Sequence, residues 1–159
     1  MKISLVRARY PSVWEPTNLM YVSSFLKDRY KGDLEVKILD GFFDSDEKIL
    51  SQISDSDFVG FSGTTPQVPH IKHLSKLLKS TYPSIKIIAG GYGPSLQPFQ
   101  FLNDPTIDYL VVGEGEQSML DIVNGNVTQK LVSNLPIADI DAYEYSHRTP
   151  EEIQMSFVR

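Results

Sequence analysis

Asp57-Phe58-Val59-Gly60-Phe61-Ser62-Gly63-Thr64-Thr65 is followed by a helix-length segment. Then comes Pro83-Ser84-Ile85-Lys86-Ile87-Ile88-Ala89-Gly90-Gly91-Tyr92-Gly93. The runs Phe58–Phe61 and Ile85–Ala89 are short and nearly continuous in apolar residues, the pattern of strands buried on both faces. Each run ends abruptly in small residues. Between them Ile71, Leu74 and Leu78 recur at helical spacing with Leu77 at the margin, and Lys72, Lys76 and Lys79 lie opposite as a solvated face. This is a strand–helix–strand unit, and it requires a parallel crossover.

Working outward, Ile3–Val6 reads as a first strand. The segment 7–16, with Tyr10, Pro11, Trp14 and Pro16, is longer than an ordinary strand-to-helix connection and is a candidate ligand loop. Thr17 or Asn18 caps a helix to about Lys31, striped by Leu19, Val22, Phe25 and Leu26. Leu34–Leu39 is a second strand. Asp44 and Glu47 have capping-box spacing before a short helix over Glu47–Ile53 that buries Ile49, Leu50 and Ile53. Gly90–Pro94 reads as a loop and Ile107–Val112 as a fifth strand. Gly113-Glu114-Gly115-Glu116 opens a last helix carrying Met119, Leu120 and Val123. Residues 127–159 lack a strong period, with Leu135-Pro136-Ile137 as an edge strand or strap.

Strands alternate with helices five times. The expected fold is therefore α/β: a doubly wound, flavodoxin-like (Rossmann-like) parallel five-stranded sheet of order 2-1-3-4-5, with helices on both faces. Ligands of such sheets bind beyond the strand carboxyl ends at the switch point. That gathers the 7–16 loop, Ser62–Thr65, Gly90–Gly93 and Gly113–Glu116 around one crevice. The paired glycines admit a flat group against the backbone, and the hydroxyls offer hydrogen bonds. The helix after Gly115 has free N–H groups for an anion, opposed by Glu114 and Glu116.

The bulk numbers narrow the function classes. The 159 residues carry a net charge of −5, and no basic cluster suits nucleic acid. No apolar run approaches the roughly 18–20 residues of a membrane span. There is no cysteine, so thiolate nucleophiles and cysteine-held zinc or iron–sulfur clusters are excluded from this chain. A cytoplasmic setting is expected. His70 and His73 lie one turn apart without an acidic or cysteine neighbour in the sequence and read as surface histidines. No metal site and no catalytic constellation is found. A receiver domain would need acids after the first strand, where Arg7 and Arg9 stand. A hydrolase would need a base beside Ser62, whereas His70 and His73 are carried away along the helix.

Taken together, Asp57–Thr65, Ile87–Gly93 and the run Asp108-Tyr109-Leu110-Val111-Val112-Gly113-Glu114-Gly115-Glu116 resemble the cobalamin-binding-type N-terminal domain of B12-class radical SAM enzymes. The resemblance covers about residues 1–125, and the GEGE turn is its most specific element. Ser62-x-Thr64 followed by Gly90-Gly91 is similar to the wider cobalamin-domain pattern Ser-x-Leu…Gly-Gly, with Thr64 in place of Leu. The resemblance implies cofactor contacts at Ser62, Gly63, Thr64, Thr65, Gly90, Gly91, Tyr92, Gly113, Glu114, Gly115 and Glu116, with Tyr10 and Trp14 on the overlying loop. Ser62 and Thr64 would face the nucleotide tail, and Gly90 and Gly91 would admit its benzimidazole between sheet and helix.

The sequence departs from the family's Asp-x-His-x-x-Gly loop, because 7–16 contains no histidine. Cobalamin would then bind base-off without a protein ligand; the alternative is a cofactor-free docking or substrate-shaping domain of the same enzyme type. The expected organisation is a domain over 1–126 and a strap or linker over 127–159. Ile153–Arg159 looks like the first strand of a radical SAM barrel in cis, and that barrel would hold the [4Fe–4S] cluster and S-adenosylmethionine. The implied activity of the whole is methyltransferase-like.

Overall fold

The computed structural model describes residues 1–11 and 15–134. Its elements in chain order are β1 (Lys2–Arg7), α1 (Thr17–Arg29), β2 (Glu35–Asp40), α2 (Asp46–Ile53) and β3 (Phe58–Ser62). A 3₁₀ turn (Thr65–Gln67), α3 (Val68–Thr81) and β4 (Lys86–Gly90) follow. Then come α4 (Tyr92–Leu96), α5 (Pro98–Leu102), β5 (Tyr109–Val112), α6 (Glu116–Val123) and β6 (Leu131–Ser133). The strands form one sheet in the order β2-β1-β3-β4-β5-β6, and every pair is parallel. The expected order 2-1-3-4-5 is present. A sixth strand extends it, hydrogen-bonded beside β5 from within the segment that shows no strong period.

Alternation along each strand divides the apolar residues between two cores. Val6, Phe61, Ile87, Ala89 and Leu110 face a layer containing Ile49 and Ile53 of α2 and Ile71, Leu74 and Leu78 of α3. Ile3, Leu5, Ile88, Val111 and Val132 face the opposite layer, with Leu19, Val22, Phe25 and Leu26 of α1 and Met119, Ile122 and Val123 of α6. Both faces of the sheet are thus covered, which is why the strands read as apolar runs.

Several local expectations change. Ser45, not Asp44, caps α2, accepting the Lys48 N–H at 3.2 Å. Asp44 instead pairs with Lys48 Nζ at 2.6 Å. Leu50 is only partly buried. Neither Thr17 nor Asn18 caps α1, whose first flanking residue is Pro16. The stretch expected as a Gly90–Pro94 loop already contains the start of α4. Lys79 is not solvated: its Nζ reaches Asp108 at 2.7 Å and the Ile85 carbonyl at 2.7 Å, tying α3 to the β4–β5 edge. Trp14, the Leu135–Ile137 strand, His147 and the 153–159 strand lie outside the described residues. Among the described residues no helix is long and apolar enough to cross a membrane.

Candidate functional site

Because all strands run the same way, their carboxyl ends form one row. Register aligns Asp40 with Arg7, Arg7 with Ser62, and Ser62 with Gly90. Half of this row is closed by charge. Arg7 Nε donates to Asp40 Oδ1 at 3.0 Å, and its terminal nitrogen bonds the other carboxylate oxygen. Asp40 also accepts the Phe42 N–H at 3.0 Å. The other half, from β3 to β5, is open and built from small residues.

A cavity of about 170 Å³ begins there and runs inward between the sheet and the α1/α6 layer. Its floor comes from Leu5, Gly60, Ile88 and Val111 on four adjacent strands. Its helical wall is Asn18, Leu19 and Val22 of α1 with Met119 of α6, and Ser62, Gly90, Gly91 and Gly113–Glu116 form its rim. A cavity of about 150 Å³ in another protein takes up benzene, so this one has the scale of a single flat ring.

Two rim glycines act differently. Gly91 has φ of 86°, and a Cβ there would lie 2.6 Å from Ser62 Oγ, so the turn after β4 needs glycine. Gly90 is ordinary strand. A Cβ added there would meet only Val111, at 3.5 Å, so a side chain at this position has room to occupy the slot.

The structure brings together seven of the thirteen residues singled out in the sequence: Ser62, Gly90, Gly91, Gly113, Glu114, Gly115 and Glu116. Five stand apart from the cavity lining. Gly63 packs beneath the next turn, where a Cβ would sit 2.8 Å from Gln67 Cβ. The Thr64 hydroxyl donates to Gln67 Oε1 at 3.0 Å, and Thr65 begins the 3₁₀ turn so capped. Tyr92 and Tyr10 are exposed, at 68% and 43%. Trp14 is outside the described residues. Asn18, Leu19, Val22, Gly60 and Met119 were not singled out. Asn18 has the residue type of a helix cap, but its Nδ2 donates to Ser62 Oγ at 2.8 Å and fixes that hydroxyl at the rim.

Charge at the rim is carried by Glu114 and Glu116. Burial pushes the Glu116 carboxyl above the usual range, and the neighbouring Glu114 adds to this. The backbone N–H groups of Glu116 and Gly115 oppose it without reversing the direction. Glu116 Oε2 is shut off from solvent and has no hydrogen-bond partner.

The two histidines of α3 do have an acidic partner, supplied by α2. His70 Nε2 lies 3.0 Å from Asp46 Oδ1 and His73 Nε2 lies 3.2 Å from Asp46 Oδ2. His70 Nδ1 accepts the Arg9 N–H at 2.7 Å, so both ring nitrogens of His70 are committed. Among the described residues no group of three or more His, Cys, Asp or Glu is arranged to hold a metal ion.

The slot lies under one helical layer and opens at the strand carboxyl ends, the end of a parallel α/β sheet at which ligands are generally bound. The chain belongs to the B12 binding domain family, whose model matches residues 3–123. It is 30% identical to the cytidylyl-2-hydroxyethylphosphonate methyltransferase of Streptomyces wedmorensis, over 87% of this chain and 30% of that protein. It is also 30% identical to the anaerobic magnesium-protoporphyrin IX monomethyl ester cyclase of Rubrivivax gelatinosus, over 69% of this chain and 20% of that protein. The chain thus spans less than a third of these curated relatives. The fold is shared with the radical S-adenosylmethionine methyltransferase TsrM from Kitasatospora setae. That match has a TM-score of 0.67 at 21% identity and covers 78% of this chain and 25% of TsrM. A cobalamin-binding protein from Desulfitobacterium hafniense also shares the fold, with a TM-score of 0.58 at 15% identity, over 80% of this chain and 59% of that one.

Proposed function

We propose that this chain binds cobalamin, placing the nucleotide tail in the slot under α1 and α6 and presenting the corrin at the strand carboxyl ends. The observation that carries the reading is the ring-sized slot with its glycine rim, in a chain that belongs to the B12 binding domain family. The residues suit the group. Gly90 leaves space that a side chain would fill, the floor and helical wall are largely apolar, and Ser62 and Glu116 supply the polar atoms. Cobalamin would supply the alkyl-transfer or radical chemistry at its cobalt; the chain binds, orients and shields. Base-off binding without a protein ligand fits the committed nitrogens of His70 and the absence of histidine from 7–16.

By analogy with its relatives, the chain would serve a methyltransferase-like protein. A radical SAM barrel in cis would hold the [4Fe–4S] cluster and S-adenosylmethionine, since this chain has no cysteine to hold one. The cofactor-free docking reading draws support from the two rim glutamates, but it expects side chains to fill the space between Ser62 and Gly90.

Titrating the 159-residue chain with hydroxocobalamin tests the choice. Binding shifts the visible spectrum, and at a hundredfold excess over Kd it stabilises the fold by about 2.7 kcal/mol. The melting temperature should then rise by about 5–10 °C. An unchanged spectrum and melting temperature at high micromolar cofactor leave the docking reading in possession.

A further inference from the structure

At its carboxyl end β1 lies in register with the rim of the slot: Arg7 is aligned with Ser62, and the Ala8 N–H donates to the Ser62 carbonyl at 3.1 Å. The next peptide unit, Ala8 C=O with Arg9 N–H, is past the end of the strand. Two side chains at the start of α3 take it. Gln67 Nε2 donates to the Ala8 carbonyl, and the Arg9 N–H donates to His70 Nδ1 at 2.7 Å. Gln67 and His70 are three residues apart, so they share one face and hold both polar groups of a single peptide. Gln67 is itself buried, and its Oε1 accepts the Thr64 N–H at 2.7 Å and the Thr64 hydroxyl at 3.0 Å. One amide thereby joins the exit of β1 to the turn after β3.

We propose that Gln67 and His70 are positioning residues for the cofactor: the peptide they hold fixes the course of the chain leaving β1 across the corrin at the strand carboxyl ends. This rests on the cobalamin reading. The hold requires His70 Nδ1 to be unprotonated, because a proton there would set one N–H against another. Asp46 of α2, Arg9 of the β1 exit and His73 of the same helix are the charged or titratable groups that face the ring. Gly41, after β2, closes on His70 Cε1 without charge. Burial, with Arg9 and His73, opposes the imidazolium and outweighs Asp46, so His70 stays below its usual pKa. The peptide is therefore held at neutral pH and let go as pH falls below about 6.5 through the folded-state value. By reciprocity, a corrin that needs the held peptide must push the titration of His70 to still lower pH.

The test uses cobinamide, which keeps the corrin but lacks the nucleotide tail, so that the slot contributes nothing. Spectral titration of the wild-type chain should show affinity falling at least about threefold from pH 7.5 to pH 5, as the hydrogen bond to Arg9 is lost. His70→Asn, whose Oδ1 accepts the Arg9 N–H and does not titrate, should bind as wild type at pH 7.5 and lose that fall. The titrations of cobinamide itself are common to both chains. Gln67→Leu should weaken cobinamide and cobalamin by the same factor, about threefold to tenfold. No effect of Gln67→Leu, or a loss confined to cobalamin, overturns the positioning role alone. A second readout does not depend on any variant's folding. In labelled wild-type chain the ring signals of His70 should titrate about half a pH unit lower when cobinamide is saturating, the equivalent of that threefold change. An unmoved midpoint overturns the proposal. Failure of the wild type to bind either compound overturns the cobalamin reading and the positioning role with it.

Discussion

At the residue scale, adjacent glycines on one rim have opposite tolerances. Gly91 combines φ of 86° with ψ of −174°, a region that is essentially glycine's alone. Gly91→Ala should cost about 2–3 kcal/mol, read from chemical denaturation, because strain and a Cβ 2.6 Å from Ser62 Oγ act together. Gly90→Val should fold with a melting temperature close to wild type and still lose cobalamin binding, since its side chain stands in the slot. A Gly90→Val variant that binds as well as wild type would place the tail elsewhere.

Part of this site is visible in sequence because neighbouring buried strands all end in small residues, although Gly63 and Gly91 are also required by the turns they sit in. The helical wall is not visible. Leu19, Val22 and Met119 have the spacing of any core stripe, and only the seating of α1 and α6 on the sheet decides whether they close up or leave a gap. Thr64 illustrates the converse: its position in the motif fits, but Gln67 three residues later offers a nearer partner.

At the element scale, α2, α3 and the exit of β1 meet at His70. The Arg9 N–H points at Nδ1, so Nε2 carries the proton and donates to Asp46. Burial holds the His70 ring below its usual pKa; Asp46 pulls the other way, while Arg9 and His73 act with burial. The unfolded chain therefore binds the proton more readily, and stability is full above about pH 6.5 and falls as pH drops through the folded-state value. Denaturation midpoints should decline between pH 7 and pH 5. His70→Phe should flatten that decline while costing about 1–2 kcal/mol at pH 8 through two lost hydrogen bonds. Nitrogen chemical shifts check the tautomer independently.

Elements differ in how well sequence shows them. Helices α1 and α3 carry long periodic stripes. Helix α4 is five residues containing Gly93 and Pro94, with no propensity to announce it. It forms because Gly93 packs against the Thr64 carbonyl, where a Cβ would come within 2.6 Å, and because its N–H donates to the Gly63 carbonyl at 2.8 Å. Ser45 displaces Asp44 as the α2 cap for a related reason: cap position is decided by where the chain leaves the preceding turn.

For the whole molecule, the order of the first five strands follows from alternating strands and helices and the handedness of crossovers. The sixth does not, because three residues give too short a run to show a period. Its anchor is Val132, buried beside Val111. Val132→Asp should detach β6 and cost about 2–4 kcal/mol. The freed β5 edge would then make the protein aggregate on mild heating, followed by light scattering. Unchanged solubility and stability would show β6 to be dispensable.

The place of β1 inside the sheet has a consequence in time. Ile3 pairs with Val36 on one side and Phe58 on the other. A ribosome adding about 5–20 residues per second makes the second partner roughly 3–11 s after the first strand. Through that interval β1 can pair only with β2, and the other edge of Ile3, Leu5 and Val6 has no partner. Strand β1 is thus enclosed on both edges only after β3 has emerged, and until then its second edge is open to whatever meets nascent protein at the tunnel mouth.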